Sequence, residues 1–251
     1  MTPRLITLAL SPYNDFARWA LDRCGIAYEE ERKPLVLHAL ASRRAGGKGT
    51  TPVLVADDEV IGESTEIAAW ADVRSGGRHQ LFPPGTEGDE VRGLVRHFGE
   101  DLGIQTRPLF WASLIHDLPL ASRLWSQGLS PRQARVQPWV LRLSKPAIRR
   151  ALGVTRDTVE THPPRIRAIF DEVAARLARG PHLVGDRITA ADLSFAAMSA
   201  PALMPPKGHP TRYPALDELT PPVAAAMREL RSHPAGEYAL RMYRDERRAR
   251  R

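Results

Sequence analysis

Four short stretches of this 251-residue chain combine residue types that could do chemistry. Ser11-Pro12-Tyr13-Asn14 follows an apolar run and opens a helix-like pattern. Proline suits the first helical position, where its missing N–H is not needed, and serine before it is a preferred N-cap. A hydroxyl beside the orphan N–H groups of a helix N-terminus can also steady an anion such as a thiolate. Ordinary cap and anion site are both open readings of that tetrapeptide. Thr51-Pro52-Val53-Leu54 sets a proline at the start of an apolar strand, a common position that gives no reason by itself to expect a cis bond. In Gly62-Glu63-Ser64-Thr65-Glu66-Ile67, Ser64 is read as a helix cap; Glu63 could accept an ammonium while Ser64 holds a carboxylate, although alone the stretch is only a capped helix. In 185–192, Thr189 and Asp192 form a capping-box pattern with aspartate in place of glutamate, a folding signal.

The elements that must carry these residues alternate in type at first. Residues 4–10 read as a strand and 12–24 as a helix with apolar positions 16, 17, 20, 21 and 24, stopped by Gly25. A second strand over 27–35 carries Glu29, Glu30 and Glu31, which suggests a sheet edge. A short helix and glycine loop over 39–49 follow. Strands 53–56 and 59–61 flank Asp57-Asp58, a tight-turn signal, and a helix over 64–73 closes an α/β unit. Breakers crowd 75–85. Beyond residue 88 only helical patterns occur: 91–102, parts of 108–127, 131–143, 164–178, 190–200 and 222–231. A proline-rich stretch over 201–222 reads as a structured loop, and the tail from 233 to 251 as helical with Tyr238, Leu240 and Tyr243 inward.

Composition bounds the function classes. With 43% hydrophobic and 26% charged residues, the chain can build a sizeable core, which excludes disorder and fibrous classes. A lone Cys24 and scattered histidines offer no disulfide framework and no zinc spacing, so a reducing cytosol and no metal are expected. Apolar run 5–10 is too short for a secretory leader, and no run is long enough to span a membrane. The net charge of +7 raises anionic partners. It is local: 121–156 carries eight basic residues and no acidic one, and 241–251 carries six arginines against Asp245 and Glu246. Together these segments exceed the total, so the remainder is net acidic.

In their order and spacing the four motifs resemble the cytosolic glutathione transferase family, over nearly the whole length. Residues 11–21 look like that family's active-site turn and helix, Thr51-Pro52-Val53-Leu54 like its cis-proline strand entry, Glu63-Ser64 like its acid–serine pair, and 183–192 like its second-domain capping motif. The implied fold class is an α/β thioredoxin-like N-terminal domain followed by an all-α C-terminal helical bundle. Expected boundaries are a glutathione-binding domain over 1–78, a linker over 79–88, and an all-α domain over 89–251 that forms the electrophile pocket.

The resemblance implies that Ser11 is catalytic, donating to the glutathione sulfur, and that Tyr13, Lys48, Thr51, Pro52, Glu63 and Ser64 bind glutathione. The Thr51 main chain would pair with the cysteinyl backbone, Glu63 and Ser64 would hold the γ-glutamyl end, and Lys48 or Arg43 would meet the glycyl carboxylate, although the loop 45–51 departs from the family pattern. A free thiol has a pKa of about 8.5; lowering it by about two units makes thiolate dominant and represents roughly 2.7 kcal/mol. The activated sulfur would then attack an electrophilic carbon. Serine and asparagine at positions 11 and 14 exclude thiol–disulfide exchange there. Cys24, about 20 Å further along a straight helix, reads as a core residue.

The expected activity is therefore conjugation of glutathione, as co-substrate and without a metal, to a hydrophobic electrophile, in a cytoplasmic homodimer engaged in detoxification. Two alternatives share the fold: a non-catalytic binding or adaptor protein, and a glutathione-dependent isomerase. No nucleic-acid motif is present. The basic segment 121–156, which interleaves Trp125 and Trp139, could lie weakly on an anionic membrane surface; the favoured reading is a solvated face whose tryptophans pack on the first domain.

Overall fold

The computed structural model describes residues 2–206 and 208–247. The first unit is built on a four-stranded sheet in the order β2-β1-β3-β4. Strand β1 (Arg4–Thr7) pairs in parallel with β2 (Glu29–Arg32) and antiparallel with β3 (Val53–Ala56), which pairs antiparallel with β4 (Glu59–Ile61). The acidic strand β2 is thus an edge. It is also more than an edge, because Glu30 turns inward to meet Arg18 at 2.7 Å.

Helix α1 (Pro12–Arg23) ends at Gly25, whose positive φ of 67° suits a residue without Cβ. Its apolar face, with Phe16, Trp19, Ala20 and Leu21, is buried. After β2 comes α2 (His38–Arg44), and the sheet is closed by α3 (Ser64–Arg74), which packs on α1. The loop between α2 and β3 needs its glycines. A Cβ on Gly47 would stand 2.6 Å from the Ser42 hydroxyl, the same hydroxyl that accepts the Gly49 N–H at 3.0 Å.

The second unit is helical. Helix α4 (Gly85–His97) begins inside the span 79–88 read as a connection, and runs through a wide turn (Phe98–Leu102) into α5 (Gly103–Leu114). Then come α6 (Leu118–Trp125), α7 (Pro131–Leu152) and α8 (Thr158–Leu177). Helices α7 and α8 are longer than the 131–143 and 164–178 expected from pattern, since Pro146, Pro163 and Pro164 lie inside them. Helix α9 (Ala190–Leu203) is buried along its whole length and packs against α1, joining the units.

Its start is fixed as the sequence implies. Asp192 Oδ2 accepts from the Thr189 N–H at 2.8 Å and from the Thr189 hydroxyl at 3.0 Å. Its second oxygen takes the Leu183 N–H at 2.9 Å and the Tyr238 hydroxyl at 2.5 Å. Helices α10 (Pro221–Ser232) and α11 (Pro234–Arg241) lead to a second wide turn (Met242–Glu246) that returns to α1. There Arg247, only 5% exposed, meets Asp22 at 2.7 Å and Asp15 at 3.4 Å. Part of the basic tail is therefore interior structure; residues 248–251, expected to continue it as a helix, lie outside the described residues. The stretch 201–222, expected as a loop, is shorter than that: Pro201 lies inside α9 and Pro221 and Pro222 open α10, where proline suits the first helical positions. In the connection between them the Thr211 hydroxyl donates to the Ala9 carbonyl at 3.3 Å.

Candidate active site

Ser11 occupies the N-cap position of α1 in an extended conformation, φ −91° and ψ 124°, but its side chain makes no capping hydrogen bond. The hydroxyl is free of the bond an ordinary cap would make. Around it, two cavities share a wall formed by Leu8, Ser11, His38 and Arg107. One, of about 330 Å³, is polar and is completed by Tyr13, Thr51, Pro52, Glu63 and Ser64. The other, of about 420 Å³, is apolar and is completed by Phe110, Trp111, Trp125, Ile148 and Leu152 among others. A nucleophile at Ser11 would thus face a polar compartment on one side and an apolar one on the other.

Each polar residue reaches this place through its own element. The turn from β1 to α1 carries Ser11, and Arg18 pins that turn by donating from Nη2 to the Leu8 carbonyl at 2.6 Å. Asn14, buried on the first turn of α1, donates to the Thr51 hydroxyl at 3.2 Å, holding the strand entry against the helix. The Thr51–Pro52 peptide is cis. At α3 the structure corrects the expected cap: Glu63 is the N-cap residue and Ser64 the first helical one, with no side-chain capping bond. Glu63 is exposed and Ser64 is 7% exposed, both along the polar cavity.

Tyr13 binds the two units together. Its hydroxyl donates to the Gly99 carbonyl, in the wide turn after α4, at 2.7 Å, and the Arg107 guanidinium lies 5.2 Å from its ring centroid. Burial pushes the Tyr13 phenol pKa up, against the pull of Arg107. Close approach of α5 depends on Gly103, where a Cβ would stand 2.8 Å from the Tyr13 hydroxyl. Tyr13 therefore contributes its ring to the polar cavity, while its hydroxyl is spent on Gly99.

Lys48 is exposed on the glycine loop and lines neither cavity. Arg43 lies over Gly49 on the same loop, about where a Cβ there would be crowded at 3.1 Å. Two further residues complete the shared wall. His38 is the first residue of α2, and burial lowers its pKa below the usual 6.5. Arg107 lies on α5, tethered from Nε to the Gly103 carbonyl at 3.0 Å. Its signal in the sequence is real but faint: it is the one charged residue in the run Gly103–Leu114, although nothing local says that it faces position 11.

Cys24 lies outside both cavities, buried, with its thiol pushed up by burial to about 11. Among the described residues no cluster of three or more His, Cys, Asp or Glu could hold a metal ion, and no helix is long and apolar enough to cross a membrane. The basic segment departs from the favoured expectation. Trp125 stacks on Trp111 of α5, centroids 5.6 Å apart, whereas Trp139 stands 67% exposed instead of packing on the first domain.

Comparison with known proteins identifies the two units. The family description "Glutathione S-transferase, N-terminal domain" matches residues 5–79, and "Glutathione S-transferase, C-terminal domain" matches 156–229. No curated protein sequence matches the chain. Among solved structures, a glutathione S-transferase from Rhodospirillum rubrum F11 superposes with a TM-score of 0.61 at 20% identity, covering 97% of this chain and 98% of that one. One from Sinorhizobium meliloti 1021 gives 0.60 at 21% identity, covering 98% and 99%. A glutathione S-transferase-I bound with lactoylglutathione gives 0.56 at 17%, covering 96% and 99%. At these identities the superpositions speak for the fold, and the two domain matches speak for descent. With its thioredoxin-like sheet unit, its helical second unit and both domains matched in order, the chain belongs to the cytosolic glutathione S-transferase family.

Proposed function

We propose that this protein conjugates the glutathione thiolate to an apolar electrophile, with Ser11 as the residue that stabilises the sulfur anion. One observation carries the reading: the Ser11 hydroxyl, uncommitted at the N-terminus of α1, is shared by a polar cavity and an apolar one. The α1 N-terminus adds its partial positive charge at the same point. In the polar cavity the Thr51 main chain would pair with the cysteinyl backbone, and Glu63 with Ser64 would hold the γ-glutamyl ammonium and carboxylate. Lys48 or Arg43 would meet the glycyl carboxylate; both are exposed beside the polar cavity's Thr51 end and neither lines it. The electrophile would lie among Phe110, Trp111 and Ile148, and the sulfur, having lost its proton, would displace its leaving group. Homodimerisation and a cytoplasmic location are carried over from the family as parts of the same proposal.

The test is conjugation of glutathione to an aryl halide, comparing the wild type with Ser11→Ala. A lost hydrogen bond to a charged sulfur, at about 1.5–3 kcal/mol, lowers kcat/KM by roughly tenfold or more. Calorimetry on the same pair separates binding from chemistry. Undetectable affinity of the wild type for glutathione, or unchanged kcat/KM in the variant, would overturn the proposal.

A further inference from the structure

The outward face of α7 takes no part in the site described above. Val136, Trp139 and Leu143 are 47%, 67% and 80% exposed, and their spacing of three and four residues sets them in one stripe on one side of the helix. Arg132 and Arg150 continue that line at its two ends, and Arg135, Arg142 and Arg149 run beside it; all five are exposed. Segment 121–156 contains no carboxylate, and among the described residues none of these five arginines takes part in an ion pair. Gln137 and Leu141 are buried on the inner side, and Ile148 and Leu152 line the apolar cavity. The helix is thus held to the protein by one face and offers the other to the outside.

We propose that this face docks on an anionic lipid surface. A single large indole and two aliphatic side chains gain by leaving water for the headgroup boundary, while flanking arginines meet lipid phosphates and carboxylates there. Both halves of the pattern are needed to choose this occupant. A second copy meeting the first with this stripe on the two-fold axis would set arginines against arginines, with no carboxylate in the segment to separate them. A single-stranded nucleic acid would satisfy the arginines but calls for a series of stacking aromatics, and only Trp139 is available, between aliphatic neighbours.

The experiment is co-sedimentation of the full chain with vesicles of phosphatidylcholine alone, and of phosphatidylcholine with phosphatidylserine at roughly two to one, read together with tryptophan emission. Binding to the anionic vesicles only, with a blue-shifted emission that Trp139→Phe removes, is expected. Raising the ionic strength should weaken it, since arginine–headgroup attraction is screened. The double variant W139A/L143A, and separately R135Q/R142Q, should each lower the partition coefficient by about tenfold or more, with unchanged circular dichroism and unchanged glutathione conjugation. Failure of the wild type to sediment with the anionic vesicles overturns the proposal, as does equal sedimentation of W139A/L143A. If analytical ultracentrifugation shows that W139A/L143A dissociates a dimer formed by the wild type, the face is a contact between copies and the proposal falls. Tight retention of a single-stranded oligonucleotide that R135Q/R142Q abolishes, with vesicles ignored, overturns it equally.

Discussion

Arg18 and Glu30 meet at 2.7 Å, Nε to Oε1, with side chains 1% and 14% exposed, and this pair sets where the site begins. Arg18 also holds the Leu8 carbonyl at 2.6 Å, while Glu30 accepts from the Thr7 hydroxyl at 2.6 Å and from Arg32 at 3.2 Å. A buried cation thus grips the chain three residues before Ser11, and edge strand β2 supplies its counter-charge.

The pair gives the fold an acid limit. Burial pushes the Glu30 pKa up, but Arg18, Arg32 and the Thr7 hydroxyl outweigh it and bring it down from 4.5 to about 2. Because the folded value is depressed, the stabilisation is complete above 4.5 and is lost as pH falls towards 2; the shift corresponds to roughly 3 kcal/mol. Glu30→Gln is expected to lose about 3 kcal/mol near neutral pH, since Arg18 is left buried without its counter-charge, and to flatten the stability curve between pH 4.5 and 2. Urea unfolding across a pH series checks both; equal stability at pH 7 with an unchanged acid slope contradicts the assignment.

Activity should carry the signature of a thiol. The reactive form is the anion, so kcat/KM rises with pH through the thiol pKa and levels off above it. With the sulfur stabilised by Ser11, that limb lies about two units below the ordinary value of about 8.5. Ser11→Ala is expected to move it back towards 8.5. A pH–rate profile in which the two limbs coincide assigns the ionisation to another group.

Arg107 is the cation common to both cavities, and its guanidinium is stacked near Tyr13. Arg107→Met keeps most of the apolar stem while deleting the charge, and is expected to lower kcat/KM by about tenfold and raise the acid limb. Arg107→Lys should restore the limb in part, because an ammonium supplies charge without the planar contact. Unaltered kinetics in Arg107→Met would show that the guanidinium serves only to pack against Tyr13.

Cys24 should be silent. With its thiol buried and at about 11, native protein is expected to react with iodoacetamide at pH 7.5 more than about a hundredfold slower than a free thiol. Unfolding in urea should restore ordinary reactivity. Rapid alkylation of the native state, followed by mass spectrometry, would contradict the burial.

Much of the fold is legible locally because its signals are local. Pro12 and Gly25 bound α1, Asp57-Asp58 marks the turn between β3 and β4, and Thr189 with Asp192 states where α9 starts. Strand β2 shows the limit of such reading. Three consecutive glutamates suggest a solvated edge, yet Glu30 is drawn inward by a cation twelve residues away that no local pattern connects to it. Helix α7 shows a second limit: the pattern stops at 143, ahead of Pro146, and the helix continues through that proline to Leu152, with Ile148 and Leu152 on its inner side.

By itself the sequence determined the succession of elements and the family they compose, because caps, breakers and apolar periodicity act over a few residues, and it singled out Ser11 for the proposal made above. Only the tertiary structure decided that His38 and Arg107 share the wall with Ser11, that Tyr13 spends its hydroxyl on Gly99, that Arg247 is interior, and that Trp139 is exposed while Trp125 is not. Those outcomes depend on which distant helices press together, and a side chain's burial and partners belong to that packing, not to its neighbours along the chain.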